Sequence, residues 1–429
     1  MRAIFSSRSL WGFVILGTLF LLAATGAVAG EEWFSYLPGV QRIEPAIAAE
    51  FRGLWVTRFD WTQYGQPAEP ERIDEIMAQA EAAGFNAVFF QVRGAADAYY
   101  TPGLEPWAQR VSGVALGQPP DPLWDPLAYA VDQAHAHNLQ LHAYLNTYPV
   151  WDNCTTVPPH TTPEHLYHLI VAEYGTVDGK PAGLQWDTSG EIHCSVYQRA
   201  TPTAALVNDH LLAVITDIVT RYAVDGIHLD HTRYGGSDAS CDPLSETAFG
   251  APCFSDPAYP DWQRQQINQF MTRVYSETRQ LDPDLWITAT AWPIYIDQWE
   301  WGGSQGYSDY YQDSKGWLAA GSVDAITPMI YPGTYPCPYT GFWSQERWEI
   351  LTADFQADRA GRYVFPGIGT GYCTFDEIAA RIDLARQLGT AGQALFSYTG
   401  LAAGDYFDDL AAGPYREPAV PPPQPGRRP

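Results

Sequence analysis

Two hydrophobic rhythms alternate along the chain. Short apolar runs rich in β-branched and aromatic residues recur, and between them apolar positions fall at helical spacing. Eight runs read as strands: "RGLWVTRF" from Arg52, "NAVFFQVRG" from Asn86, "LQLHAYLN" from Leu139, "GIHLDHTRY" from Gly226, "LWITATAW" from Leu285, "VDAITPMIY" from Val323, "YVFPGIGTG" from Tyr363 and "GQALFSY" from Gly392. The clearest helices are "ERIDEIMAQAEAAG", stopped at Gly84, "PLAYAVDQAHAHN", opened by Pro126, "LVNDHLLAVITDIVTRYA", "WQRQQINQFMTRVYSETRQL" and "FDEIAARIDLARQLG". Strands and helices in strict alternation predict an α/β fold, a single (β/α)8 TIM barrel. A doubly wound open sheet is the alternative, weakened because no Gly-rich phosphate fingerprint opens the first helix. The loops after strands three, four and six are long and each carries cysteine, so they should wall the C-terminal rim where barrel active sites lie.

Strand residues alternate faces, which sorts the polar ones. Val88, Phe90 and Val92 should pack on helices, and Gln91 and Arg93 should point inward with Phe89. His142, Tyr144 and Asn146 face in on strand three. On strand four Ile227 and Leu229 face out, His228 and Asp230 face in, and His231 falls on the outer side. Thr327, Met329 and Tyr331 face in on strand six. The interior therefore turns polar towards the rim, where a structural barrel would use Val, Ile and Leu. Polar groups in such a place need partners or a ligand. The deeper His142 and His228 also suit a satisfied structural network. Asp225 and Asp324 begin their strands and belong to the opposite, stability face. Trp61, Trp107, Trp151, Trp292, Trp343, Tyr148, Tyr234 and Tyr331 crowd the rim, and flat aromatic faces suit sugar rings.

The ends and the charge narrow the setting. Arg2 and Arg8 precede an apolar run ending in Ala27-Val28-Ala29, the pattern of a cleavable secretory signal over residues 1–29. An uncleaved anchor is the alternative. Residues 30–50 read as a leader, 51–413 as the barrel, and 414–429 as a Pro-rich disordered tail. The formal charge of −25 disfavours nucleic acid and anionic membrane surfaces as partners. Six cysteines in an exported chain predict disulfides, with Cys154–Cys194, Cys241–Cys253 and Cys337–Cys373 each stapling one loop region. Zinc is the rival, without supporting CxxC or HxxxH spacing. No cofactor motif appears.

The segments "RGLWVTRFDW", "GFNAVFFQVRGAADAYY", "WDPLAYAVDQAHAHNLQLHAYLN", "YAVDGIHLDHTRYGG" and "VDAITPMIYP" stand in the order seen in the glycosyl hydrolase-like 10 family, also called the DUF187 group. The chain resembles that family from about Arg52 to Tyr398. The resemblance implies a (β/α)8 barrel acting on glycans in or outside the cell envelope. Bacterial members include enzymes that cut peptidoglycan strands stripped of their peptides. The family's strand-four motif usually continues Asp-Asp or Asp-Tyr, whereas here Asp230 precedes His231.

Glycoside hydrolysis needs two carboxyl groups across the scissile bond. Asp230 is one, read as the general acid, and a contact with Arg93 would favour the base or nucleophile role instead. Asp60, Asp97, Asp297 and Glu300 compete for the second place, with Asp97 first because it lies in a family-like stretch. Gln91, Arg93, His142, Asn146, His228, Arg233, Tyr234, Trp292 and Tyr331 are the expected sugar contacts. Two rival readings remain: a glycan-binding barrel that does not cut, and a metal-dependent polysaccharide deacetylase using His228, Asp230 and His231.

Overall fold

The computed structural model describes residues 48–333, 335 and 341–425. The expected signal peptide and most of the leader lie outside the described residues. Eight parallel strands form the barrel: β1 Phe51–Val56, β2 Ala87–Arg93, β3 Gln140–Asn146, β4 Gly226–Asp230, β5 Trp286–Ala291, β6 Ala325–Pro328, β7 in two pieces (Tyr363–Val364 and Gly367–Gly369) and β8 Gly392–Phe396. The first piece of β7 pairs with β6, the second with β8, and β8 pairs with β1, so the ring closes. The crossover helices are α1 Pro70–Ala82, α2 Pro126–Ala136, α3 Ala205–Arg221, α4 Tyr259–Leu281, α5 Ser314–Ala320, α6 Gln345–Ala357, α7 Phe375–Gln387 and α8 Phe407–Ala412. The sequence reading lacks α5, α6 and the six-residue α8. The first is only seven residues long, and the apolar face of the second, Trp348, Leu351 and Phe355, is set among charged residues.

Alternation splits the apolar residues into two bodies. Val88, Phe90, Val92, Leu141, Ala143, Leu145, Ile227 and Leu229 join the shell between sheet and helices. Phe51, Trp55, Phe89, Tyr144, Trp286 and Phe365 fill the barrel itself. The lower interior is thus aromatic rather than aliphatic, with Phe51 stacked on Phe365 at 4.2 Å. His142 and His228 belong to it. Gly226 is required there, since a Cβ would sit 2.4 Å from His142 Nδ1.

Asp225 and Asp324 pin the register at the far rim. Asp225 accepts the Leu141 amide at 2.8 Å, and Asp324 accepts the Ile287 amide at 2.9 Å while pairing with Arg279 at 2.6 Å. Two disulfides take the expected pairing, Cys154–Cys194 and Cys241–Cys253. Cys373 is also disulfide-bonded, and its expected partner Cys337 lies outside the described residues. Among the described residues no helix is long and apolar enough to cross a membrane.

The expectation of disorder after residue 413 is corrected over residues 414–425. Ala419–Val420 pairs in parallel with Ala48–Ala49. Tyr415 is buried, takes a hydrogen bond from Gln393 at 2.9 Å and packs under the Arg52 guanidinium at 4.5 Å. Proline removes a donor but not its carbonyl: Pro423 accepts from the Tyr363 hydroxyl at 2.9 Å.

Candidate active site

A cavity of about 420 Å³ opens at the C-terminal ends of the strands. Its wall is built from Trp55 of β1, Gln91 of β2, Tyr144 and Asn146 of β3, Asp230 of β4, Thr290 of β5 and Phe396 of β8, with Arg58, Asp60, Tyr197, His231, Arg233, Met329, Tyr331, Ser397 and Thr399 from the loops beyond.

Asp230 sits at its base. Its Oδ1 accepts the Thr290 hydroxyl at 2.6 Å, the His231 amide at 2.6 Å and Arg233 Nη1 at 3.1 Å. Among the described residues its Oδ2 accepts only the Tyr144 hydroxyl, at 2.9 Å. Burial alone would raise this carboxyl's pKa. His231, the Arg233 guanidinium, the Thr290 hydroxyl and the His231 amide more than offset it and hold Asp230 well below the usual carboxylate range. Asp230 is therefore held as an anion, with Oδ1 bonded to three donors and Oδ2, among the described residues, to Tyr144 alone, an arrangement that suits a base or nucleophile better than the expected general acid. The responsible arginine is Arg233, three residues along the same loop.

Arg93 does not reach the cavity. A β-bulge between Gln91 and Arg93 breaks the alternation. Arg93 is fully buried, paired with Glu105 at 2.8 Å and bonded to the carbonyls of Asn146 and Thr147. Glu105 also meets His210 at 3.1 Å. Burial would raise its pKa, but Arg93 and His210 pull it down to about 2.

His231 is not on the outer face. It takes a left-handed backbone, φ 51°, which ends the strand geometry and swings the ring into the cavity wall. Arg233 Nη2 lies 3.3 Å from its Nδ1. A guanidinium only donates, so Nδ1 accepts and Nε2 carries the proton, 4.0 Å from Asp230 Oδ2. Burial and the nearby Arg233, Arg199 and Arg58 pull its pKa down to about 3, against the raising effect of Asp230. The ring takes up a proton only in strong acid, the range in which Asp230 itself titrates, so its charge acts on Asp230 only there.

Two of the expected sugar contacts are structural. His228 Nε2 accepts the Trp55 indole N–H at 3.1 Å, so its Nδ1 donates to Thr288 at 2.8 Å. Both nitrogens are engaged, which removes it from the metal trio with Asp230 and His231. His142 is buried one layer below the cavity, its Nδ1 without a partner. Tyr234 is buried against Tyr311 at 5.4 Å, and Trp292 lies under Arg233 at 5.4 Å rather than in the cavity wall. Gln91, Asn146, Arg233 and Tyr331 do line the cavity. Asn146 Oδ1 is buried and has no hydrogen-bond partner among the described residues, an acceptor facing a polar site.

Among the second carboxylates, Asp97 lies outside this cavity. It lines an adjoining chamber of about 160 Å³ that shares Arg58 and Phe59 with the first. Its Oδ1 accepts the amides of Gly94 and Ala95, and burial raises its pKa. Asp297 caps its own loop through the amides of Trp301 and Gly302, and neither it nor Glu300 lines the cavity. Asp60 does. It is held by the Thr57 amide and hydroxyl at 2.5 and 2.7 Å and by the amide and hydroxyl of Thr399.

Parity places Tyr144 inward without showing its bond to Asp230, and Thr290 is missed because no faces are assigned on strand five. Tyr197 carried no signal. It arrives from the long loop after β3, where Pro149–Trp151 pairs with Gln198–Arg199 and Cys154–Cys194 closes the hairpin.

A model of the family described as "Glycosyl hydrolase-like 10" matches residues 50–348. "Glycosyl hydrolase YngK" of Bacillus subtilis is 26% identical over 302 residues, 66% of this chain and 54% of that protein. "Glycosyl hydrolase DigH" of Escherichia coli K12 is 26% identical over 305 residues, 65% of each. The chain spans under two thirds of the length of these relatives. Among solved structures, the glycoside hydrolase domain of PgaB (BpsB) from Bordetella bronchiseptica superposes with a TM-score of 0.59 at 12% identity, covering 84% of this chain and 98% of that one. An α-L-fucosidase from Paenibacillus thiaminolyticus does so with a TM-score of 0.55 at 12% identity, over 85% of this chain and 49% of that one. These two likenesses concern the barrel, whereas the sequence match concerns descent: the chain belongs to the glycosyl hydrolase-like 10 family.

Proposed function

We propose that this protein is an exported glycoside hydrolase that cuts an N-acetylated glycan, with peptide-free peptidoglycan strands as the leading substrate. The observation that carries the reading is Asp230: an ionised carboxylate at the base of an open cavity, with Oδ1 saturated and Oδ2 available. Such an oxygen suits attack on the anomeric carbon or deprotonation of the attacking water. Asp60 is the other carboxyl of the same wall and takes the partner role in place of Asp97. Gln91, Asn146, Arg233 and Tyr331 supply polar and aromatic contacts for sugar hydroxyls and rings. The disulfides fit an oxidising compartment, and the curated relatives carry hydrolase names.

The reading is tested by digesting peptide-free strands and a panel of soluble glycans with wild type, Asp230→Asn and Asp60→Asn. Wild type should release product, and Asp230→Asn should lose about 10²- to 10⁴-fold. Undiminished release by Asp230→Asn would remove it from the chemistry. A glycan-binding barrel is the second reading, favoured by the four donors that already occupy Asp60. It prevails if wild type binds strands and cuts none of them.

A further inference from the structure

The long loop after β3 carries a second cluster of potential ligands. His160, Glu164 and His168 stand four residues apart around the start of the loop helix Leu166–Tyr174. One ligand atom of each lies within 4.8 Å of the other two. We propose that these three side chains bind a divalent transition-metal ion, with zinc as the ion their donors suit best.

Second contacts already orient the donors. His168 Nε2 is 2.9 Å from the Pro158 carbonyl, which can only accept. Nε2 therefore carries the proton, and the Nδ1 lone pair is free. Donation of the second imidazole N–H to a carbonyl is the usual way a metal-binding histidine is fixed. Glu164 is oriented likewise. Its Oε1 accepts the amides of His165 at 3.0 Å and Thr161 at 3.4 Å, leaving Oε2 beside His160 Nδ1 at 2.8 Å. The two imidazoles stack at 3.8 Å.

Two imidazoles and a carboxylate make a borderline donor set that suits zinc over magnesium or calcium, with water completing the tetrahedron. Zinc–nitrogen bonds of about 2.0 Å require the ligand atoms to draw together to about 3.3 Å. His160, whose side chain is 77% exposed, has the freedom to make that movement. The bound ion would tie the segment around Pro158 to the first turn of the loop helix. It would thus brace the same loop that Cys154–Cys194 staples and that delivers Tyr197 to the cavity.

The test uses the full chain, stripped with chelator, in zinc competition titrations and thermal melts. Wild type should take up one equivalent of zinc and melt higher with it. His160→Ala and His168→Ala should each bind at least about tenfold more weakly and lose the zinc-dependent rise. Magnesium and calcium should give no rise. His160 is largely exposed, so its variant should match wild type in the metal-free melt and separates lost ligation from lost folding. Absence of stoichiometric zinc uptake by wild type, or wild-type affinity in both variants, overturns the site. Neither readout uses a glycan, so the result stands apart from the hydrolase reading.

Discussion

The proposed hydrolase chemistry rests on Asp230, whose four hydrogen bonds are unevenly shared. Three donors hold Oδ1, and among the described residues Tyr144 is the single hydrogen-bond donor to Oδ2. Hydrogen bonds to the charged form lower a carboxyl pKa, and each is worth about 1.5–3 kcal/mol. Removing the Thr290 hydroxyl with Thr290→Val, or the phenol with Tyr144→Phe, should therefore raise the Asp230 pKa by about one unit or more. Because Asp230 starts far below the ordinary carboxylate range, both variants should keep it ionised at working pH, and the shift should appear as a raised midpoint in a 13C-NMR titration of the Asp230 carboxyl. At this scale the sequence was legible where the chain stays in register. Parity placed Asp230, Asn146 and Gln91 inward. It failed at His231, because a left-handed residue ends the alternation, and nothing in a histidine codon position between Asp230 and Thr232 announces φ 51°.

The elements show the same division between regular and irregular backbone. All eight strands were visible as apolar runs, since a barrel strand buried on both sides carries its own signature. The bulge at the end of β2 was not, and it converts Arg93 from an expected sugar contact into half of a fully buried ion pair with Glu105. Arg93→Ala would leave the fully buried Glu105 with His210 as its remaining charged partner and should cost about 3–5 kcal/mol in urea melts. The loop after β3 is irregular throughout, yet it delivers Tyr197, whose hydroxyl takes Arg58 Nη2 at 3.0 Å across the cavity wall. Cys154–Cys194 closes 40 residues of that loop. The double substitution Cys154→Ser with Cys194→Ser should lower stability by about 2–4 kcal/mol. It should also raise KM for a glycan more than it lowers kcat, because Tyr197 borders the cavity without touching Asp230. An unchanged KM would detach the hairpin from binding.

At the scale of the whole molecule, two opposing charge effects decide the response to acid. The formal charge of −25 spreads over the surface, and protonating carboxylates as pH falls relieves that repulsion, an effect that salt already screens. Against it stand imidazoles buried in the neutral form. Burial pulls His142 down to about 4 and His228 to about 3, from an ordinary value of 6.5, and both are 0% exposed. The unfolded chain takes up these protons below about pH 6.5, whereas the folded chain resists until about pH 4 or 3. Stability therefore falls with acidification through that window, by about 1.4 kcal/mol per pH unit for each histidine. With His231 at about 3 and His165 at about 4, four such groups outweigh a diffuse, screened repulsion. The Tm at 0.15 M salt should be lower at pH 5 than at pH 7. His142 isolates the cause, since it packs edge-on against Phe51 and Phe89 with an unpartnered Nδ1. His142→Phe deletes that nitrogen and the proton uptake together, so it should flatten the slope by one histidine's share and gain most at pH 5. Equal slopes in wild type and variant would place the acid sensitivity in the surface carboxylates instead.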